Sequence, residues 1–218
     1  EDKTRQDDIW AVRKAGLNIL NSRRGDFKPV PGIEDVSVPA EFLAEYIGKM
    51  LAWCKDEPAL HDVEVYAHAS AGCLHVRPVA NVKDAEGVAI LERMAEFALG
   101  LCLEYAGAMS GEHGDGLARS ALNERLFGSE LYGVFQAVKR TFDPNNLLNP
   151  GKIVDAPPLT AHLRMGAEYV TVPLQTVFDW SDDLGFDRAI EMCNGSGVCR
   201  KVESGVMCPS YMATRDER

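Results

Sequence analysis

An α+β fold is predicted by three features: stretches with helical apolar spacing, one region of two-residue alternation, and no repeated strand–helix succession of the kind that builds a doubly wound sheet. Asp7 to Ser22 reads as an amphipathic helix with Ile9, Val12, Leu17 and Leu20 near one face; Gly25 ends it, and Pro29 and Pro31 follow. Ile33 to Val38 is a short extended run, and Pro39 sits just before a second helix, Glu41 to Lys55. From Asp62 to Val79, Val63, Val65 and Ala67, then Leu74 and Val76, alternate with polar or aromatic residues, which predicts two strands. Ala69-Ser70-Ala71-Gly72 lies between them, so the strands form an antiparallel hairpin. Lys83 to Ala106 is the longest helix, Gly107 to Gly116 a glycine-rich loop, and Ser120 to Thr141 helical again. Turns follow at Asp143–Asn146 and Asn149–Gly151. Pro157 to Ser181 is weakly patterned and reads as a connector that wraps the first domain; Phe186 to Arg218 carries a cysteine cluster. There is no internal repeat and no low-complexity tract.

Composition narrows the function. The chain has 218 residues, 46% hydrophobic and 26% charged, as ordinary globular proteins do. A net charge of −10, with no basic block longer than Arg23-Arg24, excludes a phosphate-gripping nucleic-acid surface. The same negative charge repels anionic ligands, so an acid-binding site here needs local cations of its own. The apolar stretch from Met94 to Ala108 is interrupted by Glu96, Gly100 and Glu104 and is too short to span a bilayer. The charged opening Glu1-Asp2-Lys3-Thr4-Arg5 is unlike a signal peptide and carries no Met, so the sequence reads as part of a longer polypeptide. No Gly-x-Gly-x-x-Gly behind a strand and no phosphate loop is present, so a dinucleotide would have to be held by another domain.

Three of the five histidines fall in two places. With Ala71-Gly72 as a two-residue turn, His68 faces His75 across the hairpin and Tyr66 faces Arg77, all on one side of the sheet. Two imidazoles so placed can bind one metal ion, and Arg77 beside them suits a carboxylate ligand. The alternative is that they are strand histidines simply hydrogen-bonded in a half-buried sheet, and a one-residue slip would alter the pairing. The second place is Ser110-Gly-Glu-His-Gly-Asp-Gly116. Its glycines let backbone approach a ligand, Glu112 can supply an anionic metal ligand, and His113 is of the residue type that most often serves as acid or base. Two His and one Glu leave an open coordination position, as catalytic metal sites require, though a glycine-rich turn with an incidental Glu-His pair has the same sequence. The spacing is not that of a helical zinc-protease motif, which disfavours a hydrolase.

The six cysteines form two groups. Cys54, Cys73 and Cys102 sit in apolar surroundings and read as small core residues. Cys193, Cys199 and Cys208, the last followed by Pro209, resemble part of an iron–sulfur motif, with the fourth thiolate expected outside this sequence. A zinc knuckle is the alternative, weakened because no histidine follows His162. A reduced compartment is expected.

His68-Ala-Ser-Ala-Gly-Cys-Leu-His75, Ser110-Gly-Glu-His-Gly114 and Phe142-Asp-Pro-Asn-Asn-Leu-Leu-Asn-Pro-Gly-Lys152 resemble, in order, three signatures of the C-terminal domain of FAD-linked oxidases. This group includes D-lactate dehydrogenases, the glycolate oxidase flavoprotein and D-2-hydroxyglutarate dehydrogenases. The likeness covers roughly residues 8 to 155. The cysteine tail resembles the subfamily in which an iron–sulfur domain follows the flavin domain. The resemblance implies a ferredoxin-like cap domain over residues 1–155, a connector over 156–180 and the start of a short helical iron–sulfur segment over 181–218. It implies a divalent metal (zinc, manganese or iron) on His68, His75 and Glu112, His113 as catalytic base, and Arg13, Lys28 and Arg77 as grips on the substrate. Asn149 and Gly114 would lie near the flavin. Where many relatives carry Gly-Asp-Gly-Asn between the histidines this chain has Ala69-Ser70-Ala71-Gly72-Cys73, and Arg77 stands where some have Asn; both departures bear on the substrate pocket.

The activity so implied is oxidation of a D-2-hydroxy acid to the 2-oxo acid, with hydride passing to FAD and electrons onward to a 4Fe-4S cluster and an acceptor. The FAD would be held chiefly by an N-terminal domain of the same polypeptide, and the cluster completed by a C-terminal one. The chain alone is then expected to be inactive, and its location cytoplasmic or at the inner membrane through a partner. Two rival readings are a freestanding iron–sulfur electron-transfer adaptor and a metal-binding interaction module without redox chemistry. Only the dehydrogenase reading accounts for both the histidines and the cysteine tail.

Overall fold

The structure, a computed structural model, describes residues 2–193, 197–200, 202 and 209–215. In chain order the elements are α1 (Lys3–Asn21), β1 (Lys28–Pro29), β2 (Val36–Ser37), α2 (Leu43–Asp56), β3 (Asp62–His68), β4 (Cys73–Ala80), α3 (Ala85–Glu104), α4 (Gly116–Arg119), α5 (Asn123–Phe127), α6 (Ser129–Phe142), α7 (Phe186–Glu191) and α8 (Pro209–Thr214). They fall into two compact units, one of residues 25–172, the other of residues 1–24 and 173–218. The α+β expectation holds: an antiparallel sheet with helices packed on it.

In the larger unit β4 is the central strand. β3 pairs with it along one side, from Asp62 opposite Val79 to His68 opposite Cys73. Along the other side β1 pairs near one end (Lys28 opposite Ala80) and β2 near the other (Ser37 opposite Cys73). The chain leaves the edge between β1 and β2, and that excursion carries Glu34 and Asp35. The extended run expected from Ile33 to Val38 is therefore a strand only at Val36–Ser37.

The hairpin register departs from the two-residue turn at Ala71-Gly72. Ala69–Ala71 forms a single 3₁₀ turn closed by Gly72 in the left-handed region, and the register is shifted by two residues. His68 faces Cys73, Tyr66 faces His75, and Glu64, not Tyr66, faces Arg77. Gly72 explains the longer loop: its N–H bonds the Ala69 carbonyl, and a Cβ there would lie 1.9 Å from the Val38 carbonyl oxygen at φ +66°. A shift of two preserves side-chain parity, so His68, His75 and Arg77 still share one face.

The opposite face of β4 is apolar. Leu74 and Val76 pack against Tyr46, Met50 and Cys54 of α2, spaced four residues apart, and against Met94, Ala95, Ala98, Leu99 and Cys102 of α3. α3 starts where the Asp84 carboxylate accepts the Gly87 N–H at 2.6 Å, an N-cap. The helix expected over Ser120–Thr141 is broken into a 3₁₀ turn (Ser120–Leu122), α5 and α6, with Gly128 at φ +80° between the last two. α6 buries no residue fully; Leu131, Val134, Val138 and Phe142, spaced along one stripe, are 44–82% exposed. Beyond α6, Asp143 accepts the N–H groups of Leu147 and Leu148 at 2.9 and 2.8 Å and the Lys139 ammonium at 2.6 Å. Lys139 foremost, with these N–H groups, holds the Asp143 carboxyl down at about 2. From Pro157 to Trp180 the chain runs without helix or strand, and Leu159 and Leu163 pack against Ala80, Ile90 and Leu91.

In the smaller unit, Asp2 caps α1 by accepting the Arg5 N–H, and Arg24 pairs with Asp183 at 3.0 Å. Trp180 meets Phe186 at the start of α7. Cys193 and Cys199 are exposed; Cys208 lies outside the described residues. Among the described residues no helix is long and apolar enough to cross a membrane.

Leu99 is fully buried where α3 meets the sheet, whereas Val138 is half exposed on α6. In urea unfolding, Leu99→Ala is expected to cost about 3 kcal/mol and Val138→Ala less than about 0.5 kcal/mol.

Candidate functional site

The polar face of β4 carries Cys73, His75 and Arg77, all buried. Two loops close over it: the excursion with Glu34 and Asp35, and the turn from Ser110 to Asp115. His75 is 1% exposed and its orientation is fixed, because Nδ1 lies 2.7 Å from the Glu34 carbonyl oxygen. A carbonyl only accepts, so Nδ1 carries a proton and Nε2 is the ring nitrogen turned into the site.

Nε2 points at Glu112. Oε1 of Glu112 lies 3.0 Å from His68 Nε2, 3.2 Å from His75 Nε2 and 3.3 Å from His113 Nε2. His75 and His113 stack with ring centroids 5.1 Å apart, and His68 meets His75 edge-on at 5.2 Å. Three imidazole nitrogens and a carboxylate oxygen thus converge on one spot. These are the donor types that a divalent metal bound by nitrogen and carboxylate ligands takes, so the residues fit such an ion. The carbonyl behind His75 is the outer partner that such a ligand usually has.

Asp35 lies close to the same ligand atoms: one atom each of Asp35, His75, Glu112 and His113 falls within 4.8 Å of the others. Its oxygens are already engaged. They accept the N–H of His113 at 2.8 Å, the N–H of Glu112 at 3.1 and 3.2 Å, and the Cys73 thiol at 3.5 Å, with Arg119 3.8 Å away. Glu112, which has both neighbouring imidazoles of the hairpin within 3.2 Å of one oxygen, could hold a metal with His68 and His75. Burial alone would raise the Asp35 carboxyl; the backbone N–H groups of His113 and Glu112 outweigh it and hold the group below the usual carboxylate range. The same burial, reinforced by the Asp35 charge, pushes the Cys73 thiol up to about 11.

Arginines complete the frame. Arg77 donates from Nε to Glu34 Oε2 at 2.5 Å. Arg119 ties the turn together through Ser110 Oγ (2.8 Å) and the carbonyl of Gly114 (2.5 Å). His68, His75, Glu112 and His113 are thus brought together, and Arg77 stands two residues along β4 from His75 as the counterion of Glu34. Lys28, opposite Ala80, is five residues along β4 from His75, on the order of 16 Å by strand rise. Gly114 (φ +77°) and Asn149 (φ +53°) are exposed in the same unit. Arg13 stands on α1 in the smaller unit. Glu34, Asp35 and Arg119 are absent from the sequence reading. The adjacent acids inside Ile33–Val38 were a visible signal for the first two; nothing in the pattern marks Arg119.

Residues 1–153 match the family described as FAD linked oxidases, C-terminal domain. The chain belongs to this family. It is 33% identical over 215 residues to the D-2-hydroxyglutarate dehydrogenase of Escherichia coli K12, covering 95% of this chain and 20% of that protein. It is 36% identical over 216 residues to the enzyme of the same name from Pseudomonas putida KT2440, covering 96% and 21%. With the mitochondrial D-lactate dehydrogenase [cytochrome] of Arabidopsis thaliana it shares 29% identity over 154 residues, 71% of this chain and 26% of that protein. The chain spans about one fifth of the length of the D-2-hydroxyglutarate dehydrogenases.

Cys54 and Cys102 are also buried, with thiols pushed up by that burial to about 11 and about 12. Iodoacetamide at neutral pH is expected to modify Cys193 and Cys199 in the folded chain and to reach Cys54, Cys73 and Cys102 only after unfolding. Peptide mass spectrometry before and after denaturation checks this.

Proposed function

We propose that this chain is the substrate- and metal-binding portion of an FAD-dependent dehydrogenase that oxidises a D-2-hydroxy acid of the lactate, glycolate or 2-hydroxyglutarate class to the 2-oxo acid. The observation that carries the proposal is the convergence of three imidazole nitrogens on one Glu112 oxygen in a family defined by flavin-linked oxidation. Residues 1–155 would form this portion.

His68, His75 and Glu112 would hold the divalent cation. When bound, the cation lowers the pKa of a coordinated hydroxyl, and the flavin supplies the hydride acceptor. His75, buried and tied to Glu34, is a fixed point of the site. His113 is the proton acceptor for the substrate hydroxyl: its side chain is 40% exposed, so an incoming acid can reach it, and it stacks on the fixed His75. Removing it should lower kcat by roughly 10²- to 10⁴-fold in the full-length protein. Arg13, Lys28 and Arg77 are proposed to face the substrate carboxylates, and Gly114 and Asn149 the flavin. The exposed apolar stripe on α6 supports a flavin-binding domain as its cover, since an amphipathic helix buries its apolar face.

The matches to D-2-hydroxyglutarate dehydrogenases take in 95–96% of the chain and so extend over Cys193 and Cys199. This favours an iron–sulfur segment over residues 181–218 that passes electrons onward. Two exposed thiols do not make a cluster site by themselves, since a cubane needs four ligands.

Metal content of the chain and of His68→Ala, read by elemental analysis after equilibration with Zn²⁺ or Mn²⁺ and desalting, tests the proposal. About one equivalent in the parent, lost in the variant, with tighter retention in the presence of a D-2-hydroxy acid, is expected. Equal metal in both would move the site to the cysteines and overturn the assignment.

A further inference from the structure

Asp35 is the least exposed charged residue of the larger unit, at 0%. Its partners are the backbone N–H groups of Glu112 and His113 and the thiol of Cys73, while its own carbonyl accepts the Gly111 N–H at 2.7 Å. Three consecutive residues of the Ser110–Asp115 turn are therefore held by one residue of the excursion between β1 and β2. Glu112 and His113 are the two members of the site that lie outside the hairpin, so their aim depends on this hold. The approach is close: a Cβ on Gly111 would sit 3.1 Å from Cys73 Sγ and from Ser37 Cβ, and 3.2 Å from the Asp35 carbonyl oxygen.

We infer that Asp35 is a positioning residue for the metal site, acting through backbone hydrogen bonds that set the direction of Glu112 and His113; this rests on the ligand assignment proposed above. It is neither a ligand nor a base. An anionic acceptor is suited to the task because two adjacent N–H groups point at it and charge-assisted hydrogen bonds are roughly twice as strong as neutral ones. The neighbouring Glu34 carbonyl does the corresponding work for His75, so two adjacent residues orient one side chain of the hairpin and two of the turn.

Two readouts on the purified chain test this. Without metal, Asp35→Ala is expected to speed hydrogen exchange at the amides of Glu112 and His113 at least tenfold and leave those in the middle of α3 unchanged. Asp35→Asn should restore most of the protection, because an amide oxygen still accepts from the backbone. With Zn²⁺ in a calorimetric titration, Asp35→Ala should bind about 10- to 100-fold more weakly than the parent. If Asp35→Ala fails to fold, Gly111→Ala replaces it: the carboxylate is intact, the turn is pushed off it, and weaker Zn²⁺ binding is again expected. Parent-like exchange in Asp35→Ala would overturn the inference. Equal acceleration in the middle of α3 would do so too, by assigning the effect to loss of the fold as a whole. A parent that takes up no Zn²⁺ sinks the ligand assignment, while the exchange rates still decide whether Asp35 holds the turn.

Discussion

Strand β4 is buried at every one of its eight positions, and its two faces are buried by different chemistry. Leu74 and Val76 are covered by α2 and α3, where apolar surface is removed from water and the fold gains most of its stability. Cys73, His75 and Arg77 are covered by polar loops, where each group must find a partner or lose the solvation it had in water. The first face holds the strand still enough for the second to be specific. His75 can present a defined nitrogen only because its strand cannot slide.

Charge balance on the polar face follows from the same burial. Glu34 is answered by Arg77, and Asp35 by two backbone donors with Arg119 nearby. Removing one partner of a buried pair typically costs about 3–5 kcal/mol, because the other charge is left uncompensated. These acids and arginines therefore act as a set, and the arginines are bound to the frame rather than spread over the surface. That bears on Arg77, which relates to the ligand pocket first as the counterion of Glu34.

Much of this could be read from the sequence. Two-residue alternation placed His68, His75 and Arg77 on one face, and that outcome survived a wrong register because the shift was by two. A shift of one would have sent His75 among the leucines. What could not be read was the reason for the shift: Gly72 packs its backbone against Val38, a contact thirty-four residues away that leaves no periodic mark. The excursion holding Glu34 and Asp35 was hidden for a related cause. Acidic residues are normally exposed, so a buried pair inside an apolar run contradicts the composition rule and becomes intelligible only with its partners in view. The break in the helix after Ser120 was signalled by Gly128 alone, a residue that helices also tolerate.

The remaining acid bears on how so negative a chain would receive the anion proposed as its substrate. Of the three carboxylates in the cluster, Glu34 and Asp35 already have a guanidinium beside them, but Glu112 is met by imidazoles alone. Imidazole nitrogens and the Glu112 carboxylate are the kinds of group that hold a cation. A divalent ion there would leave one net positive charge after Glu112 is counted, and a carboxylate is the ligand that cancels it. The protein as a whole carries −10 and repels small acids at long range. Within the cluster a bound divalent ion would reverse that sign and add to the cationic side chains proposed to face the substrate.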